Sequence, residues 1–421
     1  MNKYGKNNKE ENRRPFKTRE KRNSERSLRL NNQKIERVSF EVTGKCNLRC
    51  FYCCRGYLNT PEKISSELKT EEIISTIRQA REEGCESFLF TGGEAFVKED
   101  FSNILKECEG CFVEIYSNGT LISKPENIKL IKKYVSRLTV TLDGAESHNF
   151  YRKGSDYKEI VRNITKVKQK VDDVKIKINT LVHGKSVFEL LDLYEILKKI
   201  NVDEWHIDFP QLRGRLAEFE GQFSANYEDI GNQLKKVLER YYIDNKPFYL
   251  KIYKIFSSKI TPENIFEPNL NENPCAYKSD YSMFINAEGK YILCPSIPSQ
   301  DITIAKVQKD NFKDAVKKKN ELDFQDIRFN DLKDCLDCRY FELCLGGCRG
   351  EAKILSNSFL SPDLNSCSLM KIAEKIIYPS LPKEISKIYL EKIKKDKQFP
   401  KTNLKSLDEM KSDIQKRYAH S

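Results

Sequence analysis

The chain reads as an α/β fold: repeated parallel β/α units, followed by a cysteine-rich C-terminal domain. Three observations lead there. Six strand-like runs alternate with helical patterns between residues 36 and 250. A C-x₃-C-x₂-C triplet, Cys46, Cys50 and Cys53, directly follows the first run. Seven further cysteines are spread from Cys275 to Cys367, with none between Cys111 and Cys275.

The runs Glu36–Val42, Ser87–Thr91, Phe112–Ser117, Arg137–Leu142, Lys175–Val182 and Glu204–Phe209 are rich in Val, Ile, Phe and Thr, residues that fit a half-buried pleated surface. Between them lie helical patterns. Thr70 is positioned to cap a helix whose first turn carries Glu71 and Glu72 and whose apolar face carries Ile73, Ile74 and Ile77. Others start near Phe101, Glu126, Tyr157 and Ser186. Six strands, each followed by a helix, mean parallel pairing with right-handed crossovers. Such folds collect their chemistry at the C-terminal ends of the strands, where the cysteine triplet stands.

The triplet spacing suits iron–sulfur ligation. A four-iron cluster normally takes four thiolates, so three cysteines leave one iron open for chemistry. A structural zinc site wants four Cys or His ligands at matched spacing. The four histidines, His148, His183, His206 and His420, are all distant from the triplet in sequence. A disulfide framework belongs to much smaller secreted domains, and no export signal opens this chain. The fourteen cysteines therefore imply a reducing, cytoplasmic setting. At 421 residues the chain is long enough for two domains, and no apolar run approaches a membrane span.

The net charge of +12 belongs to the ends. Residues 1–35 hold twelve Lys/Arg against four Glu, and residues 381–421 hold eleven against six acidic residues, so the middle is near neutral. The N-terminal stretch has the composition of a solvated, disordered segment and lacks aromatics interleaved for base stacking. Solubility, or attraction of an acidic peptide or redox partner, explains the charge better than nucleic-acid binding. The Ile, Leu and Lys pattern after Tyr378 suggests a basic amphipathic helix that covers the core.

The second strand ends in Thr91-Gly92-Gly93-Glu94, where glycines allow close backbone approach and a carboxylate stands ready for an ammonium group. Together with the triplet this resembles the radical S-adenosylmethionine (SAM) superfamily, whose partial (β/α)₆ barrel carries these motifs after its first and second strands. The resemblance implies a [4Fe-4S] cluster on Cys46, Cys50 and Cys53, chelated by SAM. Reductive cleavage of SAM would give a 5′-deoxyadenosyl radical that abstracts a hydrogen atom from the substrate. It further implies that Gly92, Gly93 and Glu94 meet the SAM amino group and that Tyr52 packs near the adenine. Ser117 and Asn118 after the third strand, and Thr141, Asp143 and Arg152 after the fourth, match positions that contact ribose and carboxylate. A turn role for Asn118-Gly119 and Asp143-Gly144 stays open.

The spacing Cys275-x₁₃-Gly289-x₄-Cys294, then Cys335-x₂-Cys338-x₅-Cys344-x₃-Cys348, then Cys367 resembles the seven-cysteine SPASM domain of peptide and protein maturases. By that resemblance two auxiliary [4Fe-4S] clusters are expected. Cys335, Cys338, Cys344 and Cys367 would hold a distal one, and Cys275, Cys294 and Cys348 one nearer the active site. A zinc ribbon is the rival reading, but it leaves Cys275 and Cys294 unexplained. An eighth cysteine found in some members before the first of the seven is missing, which leaves the near cluster with an open iron or a non-cysteine ligand. Cys85 and Cys108 are read as packing residues; Cys54, beside a ligand, and Cys111 fit no cluster pattern. The expected domains are a basic tail (1–35), the barrel (36–250), the auxiliary-cluster domain (251–380) and a basic C-terminal tail (381–421).

The resemblance points to an oxidative maturase that modifies a peptide or protein side chain by a crosslink or an oxidation. Oxidation of a small molecule, a sulfatase-type formylglycine role and a non-catalytic iron–sulfur protein are the alternatives. Expected partners are the peptide substrate, an electron donor such as flavodoxin or ferredoxin, and a separate leader-recognition protein. The last, or else the tails, would hold any leader, because about 35 polar residues before the first strand are too few for a packed leader-binding domain.

Overall fold

The computed structural model describes residues 35–54, 66–218, 223–256, 269–275, 281–297, 302–394, 396–399 and 409–411. Most of the two terminal tails lies outside the described residues, apart from a helix at Lys383–Glu391.

Six expected strands form within a residue of their sequence bounds: β1 (Arg37–Glu41), β2 (Ser87–Thr91), β3 (Phe112–Ser117), β4 (Arg137–Thr141), β5 (Lys175–Leu181) and β6 (Glu204–Asp208). They pair in chain order, all parallel. The sheet then extends at both edges. β7 (Tyr249–Ile252) joins β6 in parallel, and β8 (Ser282–Ile285) joins β1 in parallel. β9 (Lys290–Ile292) and β10 (Thr303–Lys306) continue antiparallel from β8, completing ten strands. Pairing with the barrel edge thus ties the start of the cysteine-rich region to the first strand.

Helices at Thr70–Glu82, Phe101–Glu107, Pro125–Tyr134, Tyr157–Lys170, Leu190–Lys199 and Tyr227–Ile243 follow β1 to β6. Thr70 was expected as a cap but is the first helical residue. The cap position is Lys69, whose backbone N–H donates to Glu72 Oε2 at 2.7 Å, while the Thr70 hydroxyl turns to Asp100. A carboxylate reaching back over the first turn serves the helix start as well as a capping hydroxyl would.

Strand alternation divides the sheet into two faces. Val38, Phe40, Phe88, Phe90, Val113, Ile115, Leu138, Val140, Ile176, Ile178, Trp205 and Ile207 are fully excluded from solvent and belong to the main apolar core. The alternate residues are mostly polar. Tyr116 stands beside Thr139, Thr139 beside Lys177, Thr141 beside Asn179, Asn179 beside His206, and Leu181 beside Asp208. The second face is therefore a polar concavity, braced low in the barrel by Lys177, which bonds Glu114 and donates to the Tyr116 hydroxyl at 3.1 Å. Among the described residues no helix is long and apolar enough to cross a membrane.

Candidate active site at the barrel mouth

The cysteine loop leaves β1 at Val42 and is locked to the end of β2. Gly93 N–H donates to the Thr43 carbonyl at 2.7 Å and Glu94 N–H to the Lys45 carbonyl at 2.9 Å. A Cβ on Gly93 would lie 2.0 Å from the Lys45 carbonyl oxygen, and one on Gly92, with φ +145°, 2.4 Å from that of Thr43. The two glycines thus let β2 approach the chain's own cysteine loop, so backbone contact couples the two motifs. Glu67 fastens the other side of the loop, accepting from Gly44 N–H at 2.6 Å and from the Thr43 hydroxyl at 2.9 Å.

Glu94 is 1 % exposed. Its carboxylate accepts from Asn118 N–H at 2.7 Å, the Ser117 hydroxyl at 2.9 Å and Phe96 N–H at 3.3 Å. Burial pushes its pKa up to about 7, although those three donors favour the ionised form. The Asn118 amide spans Cys46 Sγ at 3.9 Å and Asn47 Oδ1 at 2.9 Å. Glu94, Ser117, Asn118 and Cys46 therefore form one connected cluster across three strand ends. Burial raises the Cys46 thiol to about 11 and also raises Cys50. A positively charged partner such as cluster iron removes that penalty by holding both as thiolates.

A second cluster lies on the opposite side of the triplet. Asp143, 0 % exposed, accepts from Arg152 Nε at 2.7 Å and Nη2 at 3.3 Å, from Leu181 N–H at 2.9 Å, and from the Tyr52 hydroxyl. Burial alone would raise this carboxyl, but the Arg152 guanidinium overrides it and holds Asp143 well below the usual carboxylate range. Arg152 also stands over the Tyr52 ring at 5.1 Å and places Nη1 4.0 Å from Cys50 Sγ. Asp143 and Arg152 thus bond each other. The Tyr52 ring packs with Phe223 at 5.3 Å and His183 at 6.0 Å. Thr141 differs: its buried hydroxyl has no hydrogen-bond partner among the described residues and stands at the end of β4.

Sequence reasoning missed His183. It is buried, and burial lowers its pKa to about 4, so the ring is neutral at physiological pH. Its Nε2 has no hydrogen-bond partner among the described residues, and its ring lies 4.0 Å from that of Tyr151. The strand-end rule that selects Thr141 selects His183 equally, two residues past β5.

The end of β6 meets the C-terminal region through residues that were also missed. Gln211 Nε2 donates to Glu351 Oε1 at 3.0 Å and to the Ser296 hydroxyl at 3.3 Å. Ser296 N–H in turn donates to Cys294 Sγ at 3.3 Å. Lys254 Nζ lies between Glu351 (2.7 Å) and Asp363 (2.9 Å), and Asp363 accepts from Cys348 N–H at 3.0 Å. Burial pushes Glu351 up to about 7 despite Lys254. Cys294 and Cys348 are thereby fixed at the barrel mouth, while Cys275 is half-buried and packs against the core. The motif residue Gly289, at φ +78°, makes the reversal between β8 and β9 that delivers Cys294.

Cys335, Cys338, Cys344 and Cys367 line one narrow hollow together with Met370 and Phe399. This is the set that the SPASM resemblance assigns to one cluster. Burial raises Cys335 to about 11 and lifts Cys344 and Cys367 further, with mutual repulsion among the thiolates adding to it. Arg349 braces the turn above, donating to the Phe359 and Ser361 carbonyls, both at 2.8 Å. Cys85 and Cys108 are buried in the barrel core, Cys111 is half-buried against it, and Cys54 is exposed. Among the described residues no three His, Cys, Asp or Glu side chains converge on a point that could hold a single metal ion.

Comparison with known proteins agrees with this architecture. Residues 40–208 match the family model described as the radical SAM superfamily. The AdoMet-dependent heme synthase of Oleidesulfovibrio alaskensis is 25 % identical over 358 residues, covering 81 % of this chain and 89 % of that protein. The GTP 3′,8-cyclase of Clostridium acetobutylicum is 29 % identical over 180 residues, covering 40 % and 54 %. Among solved structures, SuiB of Streptococcus suis bound to the precursor peptide SuiA superposes with a TM-score of 0.62 at 17 % identity, over 86 % of this chain and 83 % of that one. Native anSMEcpe with bound AdoMet gives 0.63 at 17 % identity, over 84 % and 99 %. These last two likenesses concern the fold, and both run past the barrel into the C-terminal region. The motif geometry and the family match together mark residues 40–208 as a radical SAM domain, and members of that superfamily are enzymes that cleave SAM reductively at a [4Fe-4S] cluster.

Proposed function

We propose that this radical SAM enzyme is an oxidative maturase acting on a side chain of a peptide or protein, with two auxiliary clusters in its C-terminal domain. The observation that carries the reading is the hollow lined by Cys335, Cys338, Cys344 and Cys367, beside a second pair, Cys294 and Cys348, at the barrel mouth. Clusters there would accept the electron released when a substrate radical is oxidised, which suits a net loss of two hydrogens rather than a rearrangement. The peptide substrate is supported by the shared fold with SuiB bound to SuiA and with anSMEcpe bound to the Cp18Cys peptide.

Cys46, Cys50 and Cys53 would hold the SAM-binding cluster. SAM bound there supplies the 5′-deoxyadenosyl radical that abstracts hydrogen. Glu94 would receive the SAM ammonium, its carboxylate aimed by Ser117 and Asn118. The free Thr141 hydroxyl offers a polar contact at the end of β4. Asp143 and Arg152 act through position: they fix the Tyr52 ring and set a cation beside Cys50. Cys275, Cys294 and Cys348 would hold the near auxiliary cluster, with a fourth site left to a non-cysteine donor or the substrate. The polar face of the sheet would admit the modified side chain and keep bulk water away from it.

A second reading is oxidation of a small molecule. The heme synthase relative favours it, because its similarity covers both barrel and C-terminal region. One experiment separates the two. Anaerobically iron-loaded enzyme with SAM and dithionite is incubated with short peptides encoded beside its gene, and each peptide is analysed by mass spectrometry. Loss of two hydrogens from one residue or residue pair supports the maturase reading. Unchanged peptides with turnover of a small-molecule substrate support the second.

A further inference from the structure

The surface beside the cysteine loop carries a continuous band with no part in the site described above. Arg49 and Lys153 are cross-strand partners in a two-stranded ribbon and both are exposed; Cys50 and Arg152 form the next pair. Phe51 follows Cys50, and its ring packs on Phe150 with centroids 5.8 Å apart. Phe150 is 52 % exposed, and Lys185 Nζ stands 4.3 Å from its ring centre. Phe188, 55 % exposed, begins the turn after Lys185 and donates its N–H to the Lys185 carbonyl at 3.2 Å. Ring contacts join Phe51, Phe150 and Lys185, while Phe188 lies three residues past Lys185 and the Arg49–Lys153 pair adjoins Cys50 and Arg152, so three cations and three aromatic residues gather beside Cys50.

Two largely exposed phenylalanines on one strip are the kind of apolar surface that marks an interaction site. Three lysine and arginine side chains around them select an acidic partner and speed its encounter. Cys50 adds the reason for a partner here. The cluster that Cys46, Cys50 and Cys53 hold must receive one electron for each SAM cleaved, and electron transfer needs a short path.

We propose that Arg49, Lys153, Phe51, Phe150, Lys185 and Phe188 form the docking surface for an acidic one-electron carrier protein that reduces this cluster. The proposal rests on the radical SAM reading of the triplet. One electron leaves the reduced carrier and enters the oxidised cluster, and no atom is transferred. The rings supply the desolvated contact and the cations supply orientation and rate.

The test uses full-length, iron-loaded enzyme and follows bleaching of the cluster absorbance after mixing with photoreduced flavodoxin or with dithionite. The variants are Lys153→Glu/Lys185→Glu, Phe150→Ser/Phe188→Ser and a charge-matched control, Lys158→Glu/Lys199→Glu, in the groove between the helices at Tyr157–Lys170 and Leu190–Lys199. With flavodoxin, the wild-type rate should fall steeply as salt rises, and both band variants should lose about tenfold or more at low salt, as expected for electrostatically steered docking. With dithionite, all proteins should react alike. Band variants that keep the wild-type rate with flavodoxin overturn the proposal, as does an equal loss in the control. Equal loss with dithionite also overturns it, because the band would then belong to the cluster site itself. Failure of the radical SAM reading shows separately, as dithionite bleaching of wild type that matches that of a Cys46→Ala/Cys50→Ala/Cys53→Ala variant.

Discussion

Replacing Asp143 with Asn tests whether the Asp143–Arg152 pair braces the Tyr52–Cys50 side of the cluster loop. Both side chains are buried, 0 % and 7 % exposed, and the Nε–Oδ2 bond is 2.7 Å. The substitution keeps one acceptor oxygen, enough for Leu181 N–H or for the Tyr52 hydroxyl, which donate to different oxygens of Asp143, and it leaves the Arg152 charge unpaired. Removing one partner of a buried pair costs about 3–5 kcal/mol, and the one retained acceptor favours the lower end. At roughly 2–4 °C per kcal/mol for a domain of this size class, about 3 kcal/mol lowers Tm by about 6–12 °C. Scanning calorimetry of anaerobic, iron-loaded protein reads the shift. The pH dependence has a fixed sign. Asp143 titrates far below its unfolded value, near 3.9. Its contribution is therefore complete above about pH 4 and is lost as the pH falls toward the depressed folded pKa. The gap between wild type and variant should stay flat from pH 5 to 8 and close only in acid. A double Asp143→Leu/Arg152→Met variant should recover part of the loss, because it buries no lone charge. A single-variant shift under about 2 °C would refute the reasoning, since a buried pair cannot be broken that cheaply.

Other expectations follow from the same geometry. Gly93→Ala places a Cβ 2.0 Å from the Lys45 carbonyl, backbone that cannot yield without moving the cysteine loop, so iron bound at the triplet should fall while the C-terminal iron stays. If Glu94, raised to about 7, receives the SAM ammonium, SAM affinity measured by equilibrium dialysis should rise between pH 6 and 8 as the carboxylate ionises, by up to about tenfold per unit below the pKa. Glu94→Gln should flatten that profile; without SAM, the same raised pKa makes the protein less stable as pH climbs through 7. Cys344→Ser with Cys367→Ser should remove about four irons per chain, one cluster's worth, and leave the SAM-binding cluster intact by electron paramagnetic resonance.

Much of this architecture is legible in the residues. The six barrel strands announce themselves because Phe88, Ile115, Val140 and Trp205 and their neighbours lie under helices and must be apolar. The other face of the sheet is harder to read, because Lys177, Asn179 and His206 point into a concavity and weaken the hydrophobic pattern without ending the strands. β7 and β8 were missed for related reasons. Tyr249-Leu250-Lys251-Ile252 is short and carries a charge, and β8 reaches β1 across most of the chain, a pairing that no local pattern announces. The SPASM resemblance groups Cys335, Cys338, Cys344 and Cys367, and the four line one hollow although Cys367 lies 19 residues beyond Cys348. The glycines of the GGE motif were read as ligand contacts, and the structure adds a second task for them, accommodating the backbone of Thr43 and Lys45. Buried ionic groups such as Lys254, Glu351 and Asp363 leave no local signature, since their partners come from distant segments.

The central claim is that Cys46, Cys50 and Cys53 hold a cluster that cleaves SAM. Release of 5′-deoxyadenosine from SAM by iron-loaded protein with dithionite, compared with a Cys46→Ala/Cys50→Ala/Cys53→Ala variant, tests it most directly. The account predicts release that disappears in the variant while iron in the C-terminal domain persists. Equal release from both proteins, or none from wild type in the presence of a substrate it modifies, would contradict it.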